Sequence, residues 1–479
     1  MEYETVIGLE VHLQLKTKSK AFCACATEFG QEPNSQTCPV CLGFPGSLPV
    51  LNQAAFFSAL KVGLALNCQV QEYTKFDRKH YYYPDLPKNY QISQYDLPLA
   101  RDGFLDISVE NRQKRIGILR VHLEEDAGKL VHEEGLSYVD FNRTGVPLLE
   151  IVSQPEISSP QEAYEYLTTL KSAIEYLEVS GCDMEKGSLR CDANISLRKK
   201  GAQKLGRKTE LKNMNSFKAI KDALSFEVIR QTEILAAGEP IVQETRLWDA
   251  KVAKTISMRS KEEAKDYRYF PEPDLPPFII NRDKIEEIRR TIPELPREKM
   301  LRWMREYELS EYDAKILVSN KGDADYAESA IKTYPQKDKK PIANWLIGPF
   351  ASIATDRNCS IAALKLSQEA LIELIAFVEN QQISQLAAKS VLAEMIETGR
   401  SAAQIIQEKN LVQISDTAEL EKIAEEVIKV NPKSVQDYKS GKANALMFLV
   451  GQAMKKTQGK ANPKIVQELF KEAIEKLKF

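Results

Sequence analysis

The sequence predicts an α+β fold in its first part and an all-helical second part. Up to about residue 290, short apolar runs alternate with Gly, Pro and Asn, which is typical of strands in an antiparallel or mixed sheet. Two longer segments in this region carry helix-start and helix-stop residues instead. After the proline-dense stretch Phe270–Phe278, apolar residues recur at helical spacing and no strand pattern follows.

Local signals place the individual elements. Ser159 is expected to cap a first helix, with Pro160 in its first turn and Gly181 after its end. A second helix is expected from about Ser216 to Gly238. The predicted strands are the runs VIGLEVHLQL, FLDISV, RIGILRVHLEEDA, SYVDFNRTGVPLLEIV and SLRCDANISL.

The length of 479 residues predicts about three domains, because a single core rarely organises so long a chain. We place one boundary near Ile292, after the proline-dense stretch, and a weaker one near Glu408. The predicted domains are 1–292 with the mixed sheet and its flanking helices, 293–408 with helices only, and 409–479 as a small helical tail.

The composition indicates a globular protein, and we expect it in the cytoplasm. Hydrophobic residues make up 43% of the chain and the formal net charge is -2. The N-terminus has no apolar signal segment, and no apolar run approaches the roughly 18 residues of a membrane span.

Charge is unevenly distributed along the chain. Asn431–Phe479 holds ten lysines and four acids, a balance of +6 that leaves -8 for the remaining residues. A basic tail suggests a polyanionic partner, although a solvated lysine-rich surface has the same composition.

The segment Arg120–Lys129 (RVHLEEDAGK) has an unusual polar pattern. In a β-strand, His122, Glu124 and Asp126 project from one face and Glu125 from the other. Charges that face a core are costly unless they are paired or bound to a cation. The segment therefore predicts a polar site on one face of the sheet.

Three further predicted strands repeat this pattern. They place together Glu10 with His12 and Gln14, Asp192 with Asn194, and Glu210 with Lys212. If the strands are neighbours, Glu10, His12, Glu124, Asp192 and Glu210 form an oxygen-rich surface of the kind that Mg²⁺ prefers. The alternative is a set of unrelated carboxylates on a solvated sheet face.

Basic and polar residues in the predicted loops would suit phosphoryl transfer beside Mg²⁺, since that reaction needs positioning and charge neutralisation. The alternative is that each of these residues is an ordinary loop residue, in most cases a solvated cation, with no role in the reaction. They are Arg78, Lys79, Lys88, Arg143, Thr144 and Arg246. The sequence contains neither GxxxxGK[ST] nor GxSxG. The motif of a P-loop nucleotide site and that of a hydrolase nucleophile elbow are therefore both absent from the sequence.

Four cysteines occur as two close pairs, Cys23 with Cys25 and Cys38 with Cys41. This spacing predicts a closed tetrahedral zinc site; free or redox thiols are the alternative. Such a site has no open position for catalysis, so a zinc hydrolase is poorly supported. The remaining cysteines are expected in the core: Cys68, Cys182, Cys191 and Cys359.

Taken together, the motifs resemble one family closely, the B subunits (GatB) of the bacterial tRNA-dependent amidotransferase GatCAB. The matching segments span the whole chain in order: GLEVHLQL, the four-cysteine segment, RKHYYYPDLPKNYQISQYD, RVHLEEDAGK, DFNRTGVPLLEIVS, RCDANISL, ELKNMNSF, QETRLW, DYRYFPEPDLPP and VGQAMKKTQGKANP. The related archaeal GatE chains carry an extra domain before their helical region, and nothing similar interrupts Pro276–Leu301.

The resemblance implies a cradle-like catalytic body, a helical domain and a tail similar to the YqeY family. It implies that ATP phosphorylates the side-chain carboxylate of Glu-tRNA(Gln) or Asp-tRNA(Asn), and that ammonia then displaces the phosphate. It implies a cytoplasmic heterotrimer with two partner chains, GatC and the glutaminase GatA, which supplies ammonia through a tunnel. The implied cofactors are ATP, Mg²⁺ and structural Zn²⁺. A tRNA-binding scaffold that leaves catalysis to a partner is the alternative.

The resemblance also assigns site residues. Glu10, His12 and Glu124 match segments that bind Mg²⁺, Glu125 matches a position on the ammonia path, and the four cysteines match a zinc site. We predict further roles for residues in the matching motifs: Lys79 and Lys88 with His12, Glu124 and Glu125 in catalysis; Asp192 and Glu210 as Mg²⁺ ligands; Arg190, Asn194, Lys212 and Thr144 for ATP or phosphate; and Lys442, Lys455, Lys456 and Lys460 for tRNA. The preference between Glu-tRNA(Gln) and Asp-tRNA(Asn) is not encoded in these motifs.

Overall fold

A computed structural model describes residues 3–110, 112–260, 267–413, 417–457 and 460–476. The chain divides into two compact units, Met1–Pro296 and Arg297–Phe479, and the domain boundaries near Ile292 and Glu408 stay predictions. None of the described helices is both long and apolar enough to cross a membrane.

The first unit contains all the strands that the structure describes and four helices. The strands are β1 (Tyr3–Gln14), β2 (Gln69–Val70), β3 (Tyr73–Thr74), β4 (Asp77–His80), β5 (Tyr90–Ser93), β6 (Ala100–Val109), β7 (Arg112–Glu125), β8 (Lys129–Glu133), β9 (Leu136–Asp140), β10 (Pro147–Ser153), β11 (Leu189–Lys199), β12 (Thr209–Lys212), β13 (Glu244–Asp249), β14 (Lys254–Ser260), β15 (Phe270–Pro271) and β16 (Phe278–Ile279). The helices are α1 (Gln53–Ala65), α2 (Pro160–Leu177), α3 (Phe217–Ala236) and α4 (Arg282–Arg289).

A nine-stranded sheet forms the centre of this unit, in the order β14-β13-β12-β11-β1-β10-β7-β6-β2. Its neighbouring strands are antiparallel except for β12 and β13, which are parallel. The prediction of an α+β fold with a mixed sheet is therefore confirmed. Three small sheets accompany it: β15-β4-β5, β16-β3 and β8-β9.

Helices cover one face of the large sheet. Helix α2 packs against β6, α3 against β11 and β14, and α1 against β6 and β7. The apolar side chains of the strands and helices merge there into one core, which includes Leu9, Leu123, Leu170 and Leu224. The opposite face of the sheet is left for polar side chains.

The two helices predicted among the strands are present, and the structure adds α1, which the sequence did not predict. Helix α1 was missed because it is apolar on most of its circumference: Phe56, Val62 and Leu64 point in different directions and are all buried, so no amphipathic stripe marks it. Asn52 nevertheless caps it by accepting hydrogen bonds from the amides of Ala54 and Ala55. Helix α4 lies after Phe278, where apolar residues were expected to recur at helical spacing.

The second unit is helical throughout its described residues. Its α-helices are α5 (Pro296–Glu306), α6 (Glu311–Leu317), α7 (Lys321–Thr333), α8 (Lys340–Trp345), α9 (Ala351–Asp356), α10 (Gln368–Glu379), α11 (Gln385–Thr398), α12 (Ala402–Glu408), α13 (Thr417–Val430), α14 (Pro432–Lys439), α15 (Asn444–Lys456) and α16 (Pro463–Lys476). A π-helical turn at Leu346–Phe350 joins α8 to α9, and a 3₁₀ turn spans Ala362–Leu364.

The last four helices of this unit share a core of their own, with Leu420, Leu449 and Phe470 buried at its centre. Cys359, in the turn after α9, is exposed, so its expected core position was wrong. Cys68, Cys182 and Cys191 are buried as expected.

Candidate active site and metal centre

The polar face of the nine-stranded sheet carries the candidate active site. Along β1, buried Leu9 and Val11 alternate with half-buried Glu10 and His12, because successive side chains of a strand point to opposite faces. The apolar set belongs to the core, so the polar set lies on the other face. The strand register then aligns one polar residue from each of four neighbouring strands in a row: Arg190, His12, Glu150 and His122.

Two histidines and two glutamates lie at the centre of this face, and we call them the His–Glu cluster. His122 Nε2 is 3.1 Å from Glu150 Oε2 and 3.6 Å from Glu124 Oε2. His12 Nε2 is 3.6 Å from Glu150 Oε2 and 3.8 Å from Glu124 Oε1. Donor atoms of His12, Glu124 and Glu150 all lie within 4.8 Å of one another, a spacing that a single metal ion can bridge.

The charges of the His–Glu cluster stabilise one another. Burial disfavours the imidazolium of His122, but Glu150 and Glu124 outweigh burial and raise its pKa to about 9. Burial also opposes ionisation of Glu150, yet the charges and hydrogen bonds of His122 and His12 hold the Glu150 pKa far below its usual range. Against burial, the hydrogen bond with His122 similarly lowers the pKa of Glu124. The imidazolium of His122 therefore offsets part of the negative charge of Glu124 and Glu150.

Buried nitrogen atoms near the cluster have no hydrogen-bond partner within the described residues. They are Nε of Arg120, Nε of Arg190 and Nδ1 of His122. Buried polar groups in native proteins are nearly always paired, so atoms left without a partner need an explanation. Arg190 is opposite His12 in the register and Arg120 lies two residues before His122. These arginine N–H groups can donate to the oxygens of an anionic ligand such as phosphate.

A second polar group lies on the strands to one side of the cluster. Lys212 donates to Asp192 Oδ2 at 2.5 Å, and its Nζ lies 3.2 Å from Glu210 Oε1. Asn194 Nδ2 donates to Glu10 Oε1 at 2.9 Å. Burial disfavours the charged form of Lys212, but Asp192 and Glu210 raise its pKa above its ordinary value.

The structure thus divides the residues predicted to bind Mg²⁺. His12 and Glu124 belong to the tight cluster, whereas Glu10, Asp192 and Glu210 lie outside it. Sequence reasoning missed Glu150, which completes the cluster. The sequence could have indicated it, because Glu150 is the only charged residue of the apolar run VPLLEIV.

Glu125 contacts different partners from those of its neighbour Glu124, as strand alternation predicts. Glu125 accepts a hydrogen bond from the amide of Ile92 at 2.9 Å and forms an ion pair with Lys88. Glu124 instead accepts from the hydroxyl of Ser93 at 3.1 Å. Consecutive residues of β5 therefore bind the two adjacent carboxylates separately.

The other residues predicted for catalysis or phosphate binding have distinct positions. Lys79 lies on β4, and its charge helps to lower the pKa of Glu124. Thr144 is buried, and its hydroxyl has no partner among the described residues. Arg143 donates to the carbonyls of Ala127 and Gly128.

Three cations predicted to lie in loops, Arg78, Lys79 and Arg246, belong to strands instead. Arg78, on β4, forms a bidentate pair with Glu272 at 2.8 and 2.9 Å. Arg246, on β13, pairs with Glu244 at 2.6 Å and with the fully buried Glu227 at 3.3 Å. These pairs engage both guanidinium groups within the protein, which indicates a structural role.

The four cysteines predicted to bind zinc come together. The Sγ atoms of Cys23, Cys25, Cys38 and Cys41 all lie within 4.8 Å of one another. Cys38 Sγ and Cys41 Sγ are 3.9 Å apart, close to the roughly 3.8 Å between thiolates in a tetrahedron with Zn–S distances of about 2.3 Å. No disulfide joins them. The hydrogen bond with Cys23 lowers the pKa of the Cys41 thiol to about 4, although burial opposes this. The cluster can hold a metal such as zinc.

The predicted tRNA-binding lysines lie at the two ends of α15. Lys442 precedes the helix, and its Nζ is 2.9 Å from Asp437. Lys455 and Lys456 are in the last turn, and Lys460 follows shortly after it. Because a helix of 13 residues is about 20 Å long, the four lysines do not form one compact patch.

The fold and the site define an α+β catalytic domain of the GatB/GatE class. The family model described as the GatB/GatE catalytic domain matches residues 5–286, and a second model, described as the GatB domain, matches residues 325–474. The chain belongs to the GatB family.

Similar curated proteins are named as the B subunit of aspartyl/glutamyl-tRNA(Asn/Gln) amidotransferase. The one from Carboxydothermus hydrogenoformans is 55% identical over 481 residues, which cover 99% of this chain and all of the relative. Those from Caldanaerobacter subterraneus and Brevibacillus brevis are 54% and 51% identical, with the same coverage.

Proposed function

We propose that this chain is the kinase and transamidase component of a tRNA-dependent amidotransferase. ATP would phosphorylate the side-chain carboxylate of Glu-tRNA(Gln) or Asp-tRNA(Asn), and ammonia would displace the phosphate to form the amide. The observation that carries the proposal is the His–Glu cluster, beside which two arginine N–H donors have no partner in the part of the chain that the structure describes. The name of the relatives supports the same reaction.

The donor set of the His–Glu cluster fits a hard divalent cation. Two buried carboxylates and one half-buried imidazole provide an oxygen-rich site of the kind in which Mg²⁺ binds beside phosphate. We assign His12, Glu124 and Glu150 to this ion, which would supply charge neutralisation at the phosphate oxygens. His122 holds both carboxylates in place through its Nε2.

The second polar group and its surroundings are proposed to hold the phosphates of ATP. Lys212 and Asn194 offer donors beside Asp192 and Glu210, which remain candidate ligands for magnesium with Glu10. Nε of Arg190 and the hydroxyl of Thr144 are buried and have no hydrogen-bond partner among the described residues, so both can donate to a ligand. Fixed donors of this kind stabilise the charge that develops during phosphoryl transfer.

Glu125 and Lys88 are proposed to handle ammonia. Protonated ammonia has no lone pair and cannot attack an acyl phosphate, so a carboxylate that accepts its proton makes it reactive. Glu125 is buried, paired with Lys88 and separated from the partners of Glu124. One strand can therefore serve phosphorylation on one face and ammonia on the other, with Lys79 near Glu124 on the phosphorylating side.

The remaining parts of the proposal concern zinc and the partners. The four cysteines bind Zn²⁺ as a structural centre, because all four positions of a tetrahedral ion are then taken. Ammonia comes from the glutaminase GatA, and GatC completes the heterotrimer. The lysines of the tail, at both ends of α15, contact the phosphates of tRNA.

An isosteric pair of variants tests the proposal in the reconstituted complex with misacylated tRNA. Glu124→Gln removes a ligand charge and should abolish acyl-phosphate formation while glutaminase activity survives. Glu125→Gln should retain ATP turnover and lose amide formation. Because the residues are adjacent on β7, each variant is the structural control for the other.

Two results would contradict these assignments. Unchanged amide formation in Glu124→Gln would remove the basis for the metal site. Loss of ATP turnover together with amide formation in Glu125→Gln would refute a separate role in ammonia transfer. If neither variant changes the reaction, the chain is a tRNA-binding scaffold and catalysis belongs to a partner.

A further inference from the structure

Lys20 is a completely buried lysine beside the four-cysteine cluster. Its exposed fraction is 0%, which is rare for a lysine. Its ammonium donates to Cys41 Sγ at 3.7 Å and to the carbonyl of Phe141 at 3.2 Å. Its main chain also belongs to the cysteine segment, since the amide of Lys20 donates to the carbonyl of Cys25 at 3.0 Å.

The buried ammonium needs a negative charge nearby. An uncompensated charge in a protein interior strongly destabilises the fold. Within the described residues, no carboxylate lies within 4.0 Å of Lys20 Nζ, and the carbonyl of Phe141 is neutral. The remaining partner is the sulfur of Cys41, so the counter-charge must come from the cysteine cluster.

A second lysine in the same pocket shows how the charges are divided. Lys20, Cys41, Lys88 and Glu125 line one small pocket. Lys88 pairs with Glu125, whereas Lys20 points to Cys41. Each ammonium therefore has its own side-chain partner, and Lys20 is not the ion-pair partner of Glu125.

We propose that Lys20 is the charge partner of the metal–thiolate centre, an inference that rests on the proposed zinc site. Zn²⁺ with four thiolates carries a net charge of about -2. The ammonium of Lys20 reduces the net charge of the centre to about -1 at a position that solvent does not reach. The N–H···S hydrogen bond also fixes Cys41 in its orientation toward the metal. Lys20 acts through Cys41 and is a positioning residue.

The test compares Lys20→Met with Lys18→Met in the full chain. Met keeps the apolar stem of Lys20 without the charge, and Lys18 is an exposed lysine two residues away. Zinc affinity is measured by competition with a chromogenic chelator. The loss of a residue that supports a metal ligand typically weakens affinity 10–100-fold. We expect a weakening in that range for Lys20→Met and a change of less than about twofold for Lys18→Met.

A spectroscopic readout separates this role from a merely structural one. With Co²⁺ in place of Zn²⁺, the thiolate-to-cobalt charge-transfer band should shift in Lys20→Met and stay unchanged in Lys18→Met. Should Lys20→Met fail to fold, Lys20→Gln keeps an N–H donor without the charge and should give a smaller loss of affinity.

The outcomes also separate this inference from the zinc proposal. If the unmodified chain binds no zinc, the zinc proposal fails. If the unmodified chain and the Lys20 variants bind zinc equally tightly and give the same cobalt spectrum, the role of Lys20 is refuted while the zinc site stands.

Discussion

At the scale of single residues, Glu150 is the carboxylate that lies between the two histidines of the candidate site. It lies across from His12 on one neighbouring strand and from His122 on the other. Both imidazole groups approach its carboxylate, at 3.6 and 3.1 Å. Glu150 is therefore the residue that joins the two histidines into one cluster.

We expect Glu150→Gln to lower Mg²⁺-dependent acyl-phosphate formation at least tenfold, because the amide cannot replace the carboxylate charge beside the cation. Steady-state ATP turnover against Mg²⁺ concentration measures the effect, with Glu133→Gln in the exposed β8 strand as the control. Equal magnesium dependence in both variants would remove Glu150 from the site.

A second residue-scale prediction concerns Glu328 in the helical unit. Its carboxylate accepts from Arg302 at 2.8 Å and Lys332 at 2.9 Å, and Lys299 lies 3.3 Å away. Burial opposes its ionisation, but these cations lower its pKa to about 2. A carboxylate with a depressed folded-state pKa stabilises the fold above its unfolded pKa, near 4.5, and loses that contribution as the pH falls through about 2.

Glu328→Gln should therefore lower the free energy of unfolding by about 2 kcal/mol at pH 7, because the three cations lose their anion. The difference from the unmodified chain should shrink steadily between pH 4.5 and pH 2. Urea unfolding across this range measures it, with the exposed Glu397→Gln as the control. A difference that does not depend on pH would contradict the charge explanation.

At the scale of secondary-structure elements, α1 links the core to the segment that holds the cysteines. Asn52 accepts from two amides at the start of the helix and donates to the carbonyls of Ser19 and Lys20 at 2.9 and 3.2 Å. Ser216, the N-cap of α3, accepts only one amide hydrogen bond. The two caps therefore differ in how many groups lose a partner when the side chain is removed.

Asn52→Ala should cost about 2 kcal/mol of unfolding free energy, at the upper end of the range for N-cap residues, and Ser216→Ala about 1 kcal/mol. Urea unfolding of the two variants under the same conditions gives the comparison. An equal cost for both would show that the hydrogen bonds to Ser19 and Lys20 contribute nothing.

At the scale of the whole molecule, the lysine-rich residues of the tail belong to a group of helices that has its own core. Helices α13 to α16 bury Leu420, Leu449 and Phe470 together. A truncation inside this group would expose the core of the helices that remain, whereas a truncation before α13 removes the group as one piece.

Deletion of Thr417–Phe479 should raise the KM for tRNA at least tenfold and leave tRNA-independent glutaminase activity intact, because it removes the lysine-rich helices without opening another core. Deletion of 437–479 should instead give aggregation, since the apolar face of α13 loses α15 and α16. An unaltered KM in the first deletion would refute the role of the tail in tRNA binding.

Local patterns were sufficient for much of the fold. The caps Ser159 and Ser216 and the alternation in β1, β7 and β11 are properties of short segments, so α2, α3 and these three strands were predicted correctly. The run SYVDFNRTGVPLLEIV, predicted as one strand, instead divides into β9 and β10, which belong to different sheets. Helix α1 was missed because a helix buried on most sides has no polar stripe. The four cysteines could be grouped from spacing, since both pairs lie close together in the chain.

The sequence by itself determined which residues share a face, because side chains along a strand alternate with a period of two whatever the strand pairs with. That rule placed Glu124 and Glu125 on opposite sides and His12 beside Glu10. Only the tertiary structure decided which faces meet. The strand order β11-β1-β10-β7 brings Glu150 between two histidines and leaves Glu10 outside the cluster. The pairings of β1 with β10 and β11 join residues more than 100 positions apart, and even β7 and β10 are separated by a loop and a small hairpin, so no local pattern encodes these contacts.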